Sequence, residues 1–269
     1  MPSLEALERH LSGLGRVLLG YSGGVDSALL AVVGARVLGP HRFLAAIGRS
    51  ASYPDAQWRV AMDVARQFEV PLVELLTREL EDPRYIANAP DRCYFCKAEL
   101  WTRLGTLAQT RGFDVIVDGT NADDLKEHRP GVRAAGEHGI RSPLAELGWS
   151  KTEIRTASRE LGIPTSDSPA SPCLSSRVQY GLPVTAERLR QIEGGEAFLR
   201  SLGIAGDLRV RHHGETARIE AAPDQLPRLR AAWSAVQGAF SGLGFSDVVL
   251  DPRGYRRGSL LAMVAGAER

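Results

Sequence analysis

Residues 16–21 read RVLLGY, an apolar run of strand length, and residues 28–38 read ALLAVVGARVL, an apolar run of helix length; only SGGVDS lies between them. A strand that passes through a glycine turn straight into a helix aims backbone N–H groups and the positive end of the helix dipole at one point, where an anion is favoured. The strand signal returns in RFLAAI (42–47), PLVELL (71–76) and DVIVDGT (114–120). Helical patterns fall between and after these runs, in DAQWRVAMDVARQF (55–68), KAELWTRLGTLAQTRG (97–112) and KTEIRTASRELG (151–162). Strands alternating with helices predict an α/β fold whose open parallel sheet is covered on both faces.

The texture changes near Pro183. TAERLRQIEGGEAFLRSLG reads as a helix opened by Thr185, DLRVRHH and ETARIEA as paired strands, APDQLPRLRAAWSAVQGAF as a further helix and FSDVVLD as a strand. The expected organisation is therefore an α/β domain over 1–182 and a smaller α+β module over 183–269 that binds substrate or joins subunits. The second segment is long enough to bury a small core of its own.

Thirty-three Lys plus Arg against 32 Asp plus Glu leave a formal charge of +1, so no global field favours a polyanion and nucleic acid is not the expected partner. MPSLEALERHLSGLG at the N-terminus is amphipathic and charged, unlike a signal peptide, and no apolar run approaches the roughly 20 residues of a membrane span. The expectation is a soluble, cytoplasmic protein without a membrane partner. Three cysteines, an odd and low number, cannot build a disulfide framework. Core thiols, metal ligands and nucleophiles remain as uses for them in a reducing compartment.

In the first turn, Gly23 and Gly24 allow close backbone approach to phosphate, Ser22 and Ser27 add hydroxyls, Asp26 offers a carboxylate to Mg2+, and Val25 opens the helix. No Gly-Lys-Ser/Thr follows, so this is not the loop that transfers a γ-phosphoryl group. Asp118, Gly119 and Thr120 sit at the carboxyl end of a predicted strand, where open parallel sheets bind ligands. Asp123 and Asp124 come next, and with Asp118 they are further candidates for Mg2+ beside bound phosphate; a solvated acidic helix cap is the alternative for the pair, and their place on the same sheet edge as the first turn favours the ligand role.

Two cysteines lie in RCYFCK (92–97), as Cys93 and Cys96, and the third, Cys173, lies among prolines and serines in SPASPCLSSR (168–177). A thiolate is a good nucleophile, and Arg177 beside it would favour the ionised thiol. Arg209 and Arg211 alternate along a predicted strand, so both guanidinium groups face one side and suit a phosphate. His212 and His213 are read as surface or loop residues, Glu193 and Glu196 as helix-surface charge, and PRGYRRGS (252–259) as an unassigned basic patch.

Ser22-Gly23-Gly24-Val25-Asp26-Ser27 resembles the PP-loop of the N-type ATP pyrophosphatases. SGGVDS, DGTNADDLKEHRPG, RSPL, SPASPCLSSRVQYG and LRVRHHGETARIE together resemble the LarE family, from about residue 12 to about 255. The resemblance implies an ATP-dependent sulfur transferase that helps to build the nickel-pincer nucleotide of lactate racemase. The loop would grip the pyrophosphate end of ATP, a carboxylate of a pyridinium dicarboxylate mononucleotide would be adenylated, and Cys173 would supply the sulfur. Arg177, Arg209 and Arg211 would meet the substrate. The family also implies a homo-oligomer and partners among other cofactor-biosynthesis enzymes.

RCYFCK departs from the single-cysteine pattern. Three thiolates suit a 4Fe–4S cluster with one open iron better than a four-ligand zinc site. Some LarE-like proteins and one class of tRNA thiolases carry such clusters, and sulfur would then come from a replenishable sulfide donor. The alternative is sacrifice of the Cys173 sulfur, once per chain, by an elimination whose base the sequence does not identify. A tRNA thiolase and an ammonia-using, amide-forming enzyme of the NAD or GMP synthetase type are the rival activities.

Overall fold

The computed structural model describes residues 2–126, 130–169 and 172–256. Part of the acidic motif (127–129), two residues before Cys173 (170–171) and most of the last basic stretch (257–269) lie outside the described residues. Two compact units divide the chain: Met1–Glu79 with Asp91–Ser171, and Leu80–Pro90 with Pro172–Arg269.

The first unit begins α1 (Leu4–Ser12), β1 (Val17–Gly20), α2 (Val25–Arg42), β2 (Phe43–Arg49), α3 (Asp55–Gln67) and β3 (Leu72–Leu76). The chain then leaves for the second unit through α4 (Pro83–Ile86) and returns as α5 (Arg92–Arg111), β4 (Val115–Val117), α6 (Pro130–Glu137), α7 (Pro143–Glu146) and α8 (Lys151–Glu160). The sheet order is β3-β2-β1-β4 and every pair is parallel, with Leu19 opposite both Ala45 and Val117. Side-chain alternation divides the core as period two demands. Val17, Leu19, Ala45, Ile47 and Val117 pack with residues of α1, α2, α3 and α8, whereas Leu18, Leu44 and Ala46 pack with Trp101, Leu104 and Ala108 of α5 and with α6. Each fully buried side chain of this size contributes roughly 1.5–3 kcal/mol. Because β2 lies on one side of β1 and β4 on the other, the direction of winding reverses at β1, and the crevice at the carboxyl ends of β1 and β4 is the expected ligand position.

In the second unit α9 (Ala186–Ser201) is capped by Thr185, whose hydroxyl accepts from Arg188 N at 3.2 Å. β5 (Leu208–His213) and β6 (Thr216–Ala221) form an antiparallel pair; α10 (Leu226–Ala231) and α11 (Trp233–Gly242) follow, and β7 (Asp247–Leu250) runs parallel to β6. Val210 of β5 and Phe240 of α11 both close on Gly195 of α9, so Leu208, Val210 and His212 form the core-facing row. The alternate row carries Arg209 and Arg211, on one side of the strand as expected.

Three features differ from the sequence reading. The helix expected from residue 97 begins at Arg92, so Cys93 and Cys96 occupy its first turns. The single helix expected over 222–240 is divided: a 3-10 turn over Pro223–Gln225 comes first, α10 starts afresh at Leu226 with Pro227, which has no N–H to donate, in its first turn, and α11 begins again at Trp233. Finally, the division falls at residue 171 rather than 182, and residues 80–90 join the second unit. The buried Asn88 explains the latter: its amide nitrogen donates to the carbonyls of Gln179 at 2.8 Å and Leu182 at 2.9 Å. Val184 N also donates to Ile86 O at 2.9 Å. Among the described residues no helix is long and apolar enough to cross a membrane.

Candidate active site

The SGGVDS turn links β1 to α2. Gly24 is the N-cap of α2 and supplies no side-chain cap, which leaves the first N–H groups of α2 available to an anion. A Cβ on Gly24 would meet only Ser22 Oγ, at 3.6 Å, so the space over the turn is open. Gly23 has φ +67°, and a Cβ there would lie 2.5 Å from Ala61 Cβ. Ser27 Oγ accepts from Ser22 N at 3.2 Å, lies 3.1 Å from Ser22 Oγ and donates to Gly24 O at 3.1 Å, so both serines brace the turn. Gly119, after β4, comes so near α2 that a Cβ would lie 2.9 Å from Ser27 N. Ser22, Gly23, Gly24, Val25, Asp26, Ser27 and Gly119 thus meet at one sheet edge.

Asp26 Oδ2 accepts from Lys151 Nζ at 2.5 Å, and its Oδ1 accepts from Asn121 Nδ2 at 3.2 Å. The backbone N–H of the same Lys151 donates to Asp123 Oδ2 at 2.9 Å, while Lys126 Nζ reaches Asp123 Oδ1 at 2.9 Å. Lys126, then the Lys151 N–H, holds the Asp123 carboxyl below the usual carboxylate range. Asp26 and Asp123, taken from the sequence as candidates for Mg2+, therefore both bond to Lys151, Asp26 through its ammonium group and Asp123 through its backbone N–H. Asp118 is employed differently. It is buried and accepts from Thr120 N at 3.0 Å, Thr120 Oγ1 at 2.7 Å and Ser142 Oγ at 2.7 Å, so it and Thr120 shape the turn after β4.

Sequence reasoning missed Lys151 and Asn121. Lys151 is the first residue of α8, behind the Ser150–Glu153 capping box, where the helix dipole disfavours a cation. A lysine against the dipole was the available signal. Asn121 carried none beyond its place in the acidic motif.

None of the three cysteines forms a disulfide. Cys93 is exposed, with the Arg92 guanidinium 3.9 Å from its Sγ. Cys96 follows at i+3 in the same helix, the spacing that brings two side chains onto one face. Among the described residues no three His, Cys, Asp or Glu side chains converge as a metal cage.

In the second unit Cys173 is the N-cap of the 3-10 turn Leu174–Arg177, and its Sγ lies 3.0 Å from Ser175 Oγ. Arg177 is only 2% exposed. Its Nη1 donates to the carbonyls of Pro172 and Cys173, the latter at 2.8 Å, and its Nε to Glu196 Oε1 at 3.0 Å. Glu196, read from the sequence as surface charge, is the counter-ion of this arginine and also accepts from Val210 N at 3.1 Å. Arg211 pairs with Glu220 at 2.9 Å and donates to Ser176 O at 3.1 Å. The Arg209 guanidinium lies 5.2 Å from the Tyr255 ring centroid. Burial first, and the neighbouring Arg177 second, lower the Arg209 pKa. Three buried or nearly buried guanidinium groups, Arg177, Arg209 and Arg211, thus lie in this unit, two of them paired with Glu196 and Glu220.

His212 also departs from its expected surface position. It is 2% exposed, its Nε2 lies 2.8 Å from Gln191 Oε1, and burial, then Arg188 and His213, push its pKa down to about 4.

Residues 6–84, which span β1, the turn and α2, match the family model described as NAD synthase. Over 259 residues the chain is 42% identical to an uncharacterised protein of Synechocystis, covering 96% of each. It is 31% identical over 241 residues to an uncharacterised protein of Methanocaldococcus jannaschii, covering 90% of this chain and 91% of that one. Over 250 residues it is 33% identical to the pyridinium-3,5-bisthiocarboxylic acid mononucleotide synthase of Lactiplantibacillus plantarum, covering 93% of this chain and 90% of that enzyme. With the glycine turn intact and the likeness extending over both units, the chain belongs to the LarE family of ATP-dependent sulfur-transferring enzymes.

Proposed function

We propose that this enzyme converts a carboxylate of a pyridinium dicarboxylate mononucleotide into a thiocarboxylate, as a step in building a nickel-pincer cofactor. The substrate carboxylate oxygen attacks the α-phosphorus of ATP, the bond to the bridging oxygen breaks and pyrophosphate departs, leaving an acyl-adenylate. A sulfur nucleophile then attacks the acyl carbon, and AMP leaves. The observation that carries this reading is Asp26, a carboxylate in the first turn of an uncapped helix and already bonded to the ammonium of Lys151. Asp26 and Asp123 offer the hard oxygen donors that Mg2+ requires. Lys151 would pass from Asp26 to the phosphates as the cation takes the carboxylates. Gly119 keeps β4 close to the turn, and Asp118 and Thr120 fix the backbone beside the nucleotide. Arg209 and Arg211 would hold the phosphate of the mononucleotide, with Arg177 keeping the Cys173 turn in shape.

Cys93, Cys96 and Cys173 would be the three thiolate ligands of a 4Fe–4S cluster, the chemistry that such a cluster requires. Two thiols at i and i+3 in the first turns of α5 support this reading. Such a cluster supplies an open iron able to carry a sulfide from an external donor. Without it, Cys173 itself attacks the acyl-adenylate to form a thioester. The Cβ–S bond then breaks with loss of the α-proton, leaving dehydroalanine and a chain that turns over once.

Iron and acid-labile sulfide per chain, measured on anaerobically purified protein, separate the two routes. A near-stoichiometric cluster that is lost in Cys93→Ala supports repeated turnover with Cys173 as a ligand. Iron-free protein that loses one sulfur at Cys173 per thiocarboxylate formed overturns the cluster. Full thiocarboxylate yield from Cys173→Ala overturns both.

A further inference from the structure

The face of α3 that meets the glycine turn shows a pattern that the mechanism has not used. Tyr53, just ahead of α3, and Gln57 and Ala61 within it recur every four residues, and all three touch residues 21–23. Tyr53 Oη donates to Ser22 O at 2.8 Å, and Gln57 Nε2 donates to the same oxygen at 2.8 Å. Tyr21 Oη donates to Ala61 O at 3.0 Å, and Gly23 packs directly on Ala61. Facing a carbonyl fixes the orientation of the Gln57 amide, since the flipped amide would set two oxygens against each other. That orientation leaves Gln57 Oε1 buried and without a hydrogen-bond partner, so the donation to Ser22 prevails over satisfying its own oxygen. Burial, then the neighbouring Tyr21, pushes the Tyr53 phenol up, and it remains a donor at physiological pH.

A trans peptide points its C=O and the following N–H in opposite directions. With Ser22 O drawn onto α3 by two donors, the Gly23 N–H points away from α3. We propose that Tyr53 and Gln57 are positioning residues that lock the Ser22–Gly23 peptide so that its N–H faces the phosphate cradle. The clamp makes α3 part of the pyrophosphate grip although neither side chain need touch ATP. It also accounts for glycine at 23, because Ala61 leaves no room there for a side chain. This inference rests on the reading that the Ser22–Ser27 turn holds the pyrophosphate end of ATP.

The test is calorimetric titration of the full chain with inorganic pyrophosphate and with adenosine, on Tyr53→Phe, Gln57→Leu, the double variant and Gly24→Ala. Because two donors share one acceptor, either single loss leaves the peptide held. Each single variant is expected to bind pyrophosphate about threefold more weakly and the double variant about thirtyfold or more, with adenosine affinity unchanged. Gly24→Ala, which the fold accommodates but which fills the open space over the turn, is expected to lose pyrophosphate binding. If Gly24→Ala loses pyrophosphate and the double variant binds within twofold of the natural protein, the clamp is wrong and the cradle stands. If Gly24→Ala keeps its affinity, the cradle reading itself fails. Equal losses of adenosine and pyrophosphate in the double variant would show general damage and also overturn the clamp.

Discussion

The two units carry their proposed anion-binding groups in opposite ways. At the end of β1 the first unit offers backbone N–H groups, glycines and a lysine whose side chain is 40% exposed; the groups that meet the ligand are separate from the groups that hold the fold. The site proposed in the second unit consists of Arg177, Arg209 and Arg211, nearly buried and tied to Glu196, Glu220 and main-chain carbonyls. There the same side chains serve as fold and as site. Removing a ligand-binding group should therefore cost affinity in the first unit and stability in the second.

The largest effect expected is on Arg177. Arg177→Leu leaves Glu196 without its cation and frees the carbonyls of Pro172 and Cys173, a loss of about 3–5 kcal/mol for one partner of a buried pair. Urea unfolding, with hydrogen exchange read over residues 172–256, measures it. A cost below about 1 kcal/mol, the range of an exposed pair, would break the comparison. Adding Glu196→Leu should return part of the loss.

His212 provides a pH handle on the same unit. Its folded pKa of about 4 lies below the ordinary 6.5, so as pH falls the unfolded chain takes up a proton that the folded chain refuses. Stability should decline from about pH 6.5, by about 3 kcal/mol in all, and this contribution should stop growing below about pH 4. His212→Gln should flatten that slope, and an unchanged slope would remove His212 as its cause.

Lys151 sharpens the contrast from the other side. Lys151→Met should weaken MgATP binding about ten- to a hundredfold by loss of a charge-assisted contact, while the thermal midpoint stays within about two degrees. Unchanged affinity would show that Lys151 serves Asp26 and not the nucleotide.

What the sequence revealed follows the range of the interactions involved. β1, β2 and β3 are legible because strands buried in a parallel sheet read as short apolar runs, and the glycine turn is legible because its residues act next to one another. Thr185 could be read as a cap for the same local reason. Lys151 meets Asp26 across 125 positions and Glu196 meets Arg177 across 19, and neither separation leaves a periodic trace. The start of α5 was placed late because Cys93, Tyr94, Phe95 and Cys96 are weak helix formers, and packing against β4 and α6 overrides that preference. His212 is buried because Gln191 of α9 and the Phe245 ring lie against it, contacts that no neighbouring residue announces.

The excursion of residues 80–90 sets the order in which the chain can complete itself. Asn88 finds its acceptors about ninety residues later, so the second unit gathers its pieces only after the first has been traversed twice. A ribosome releasing this chain would expose the 80–90 segment long before its partners emerge, and a gene fragment ending near residue 171 would strand it permanently. The two units are thus interleaved along the sequence, and so in heredity. Recombination cannot exchange the arginine site of one family member for that of another at a single crossover; it must carry the short early segment along, or leave a buried amide without acceptors.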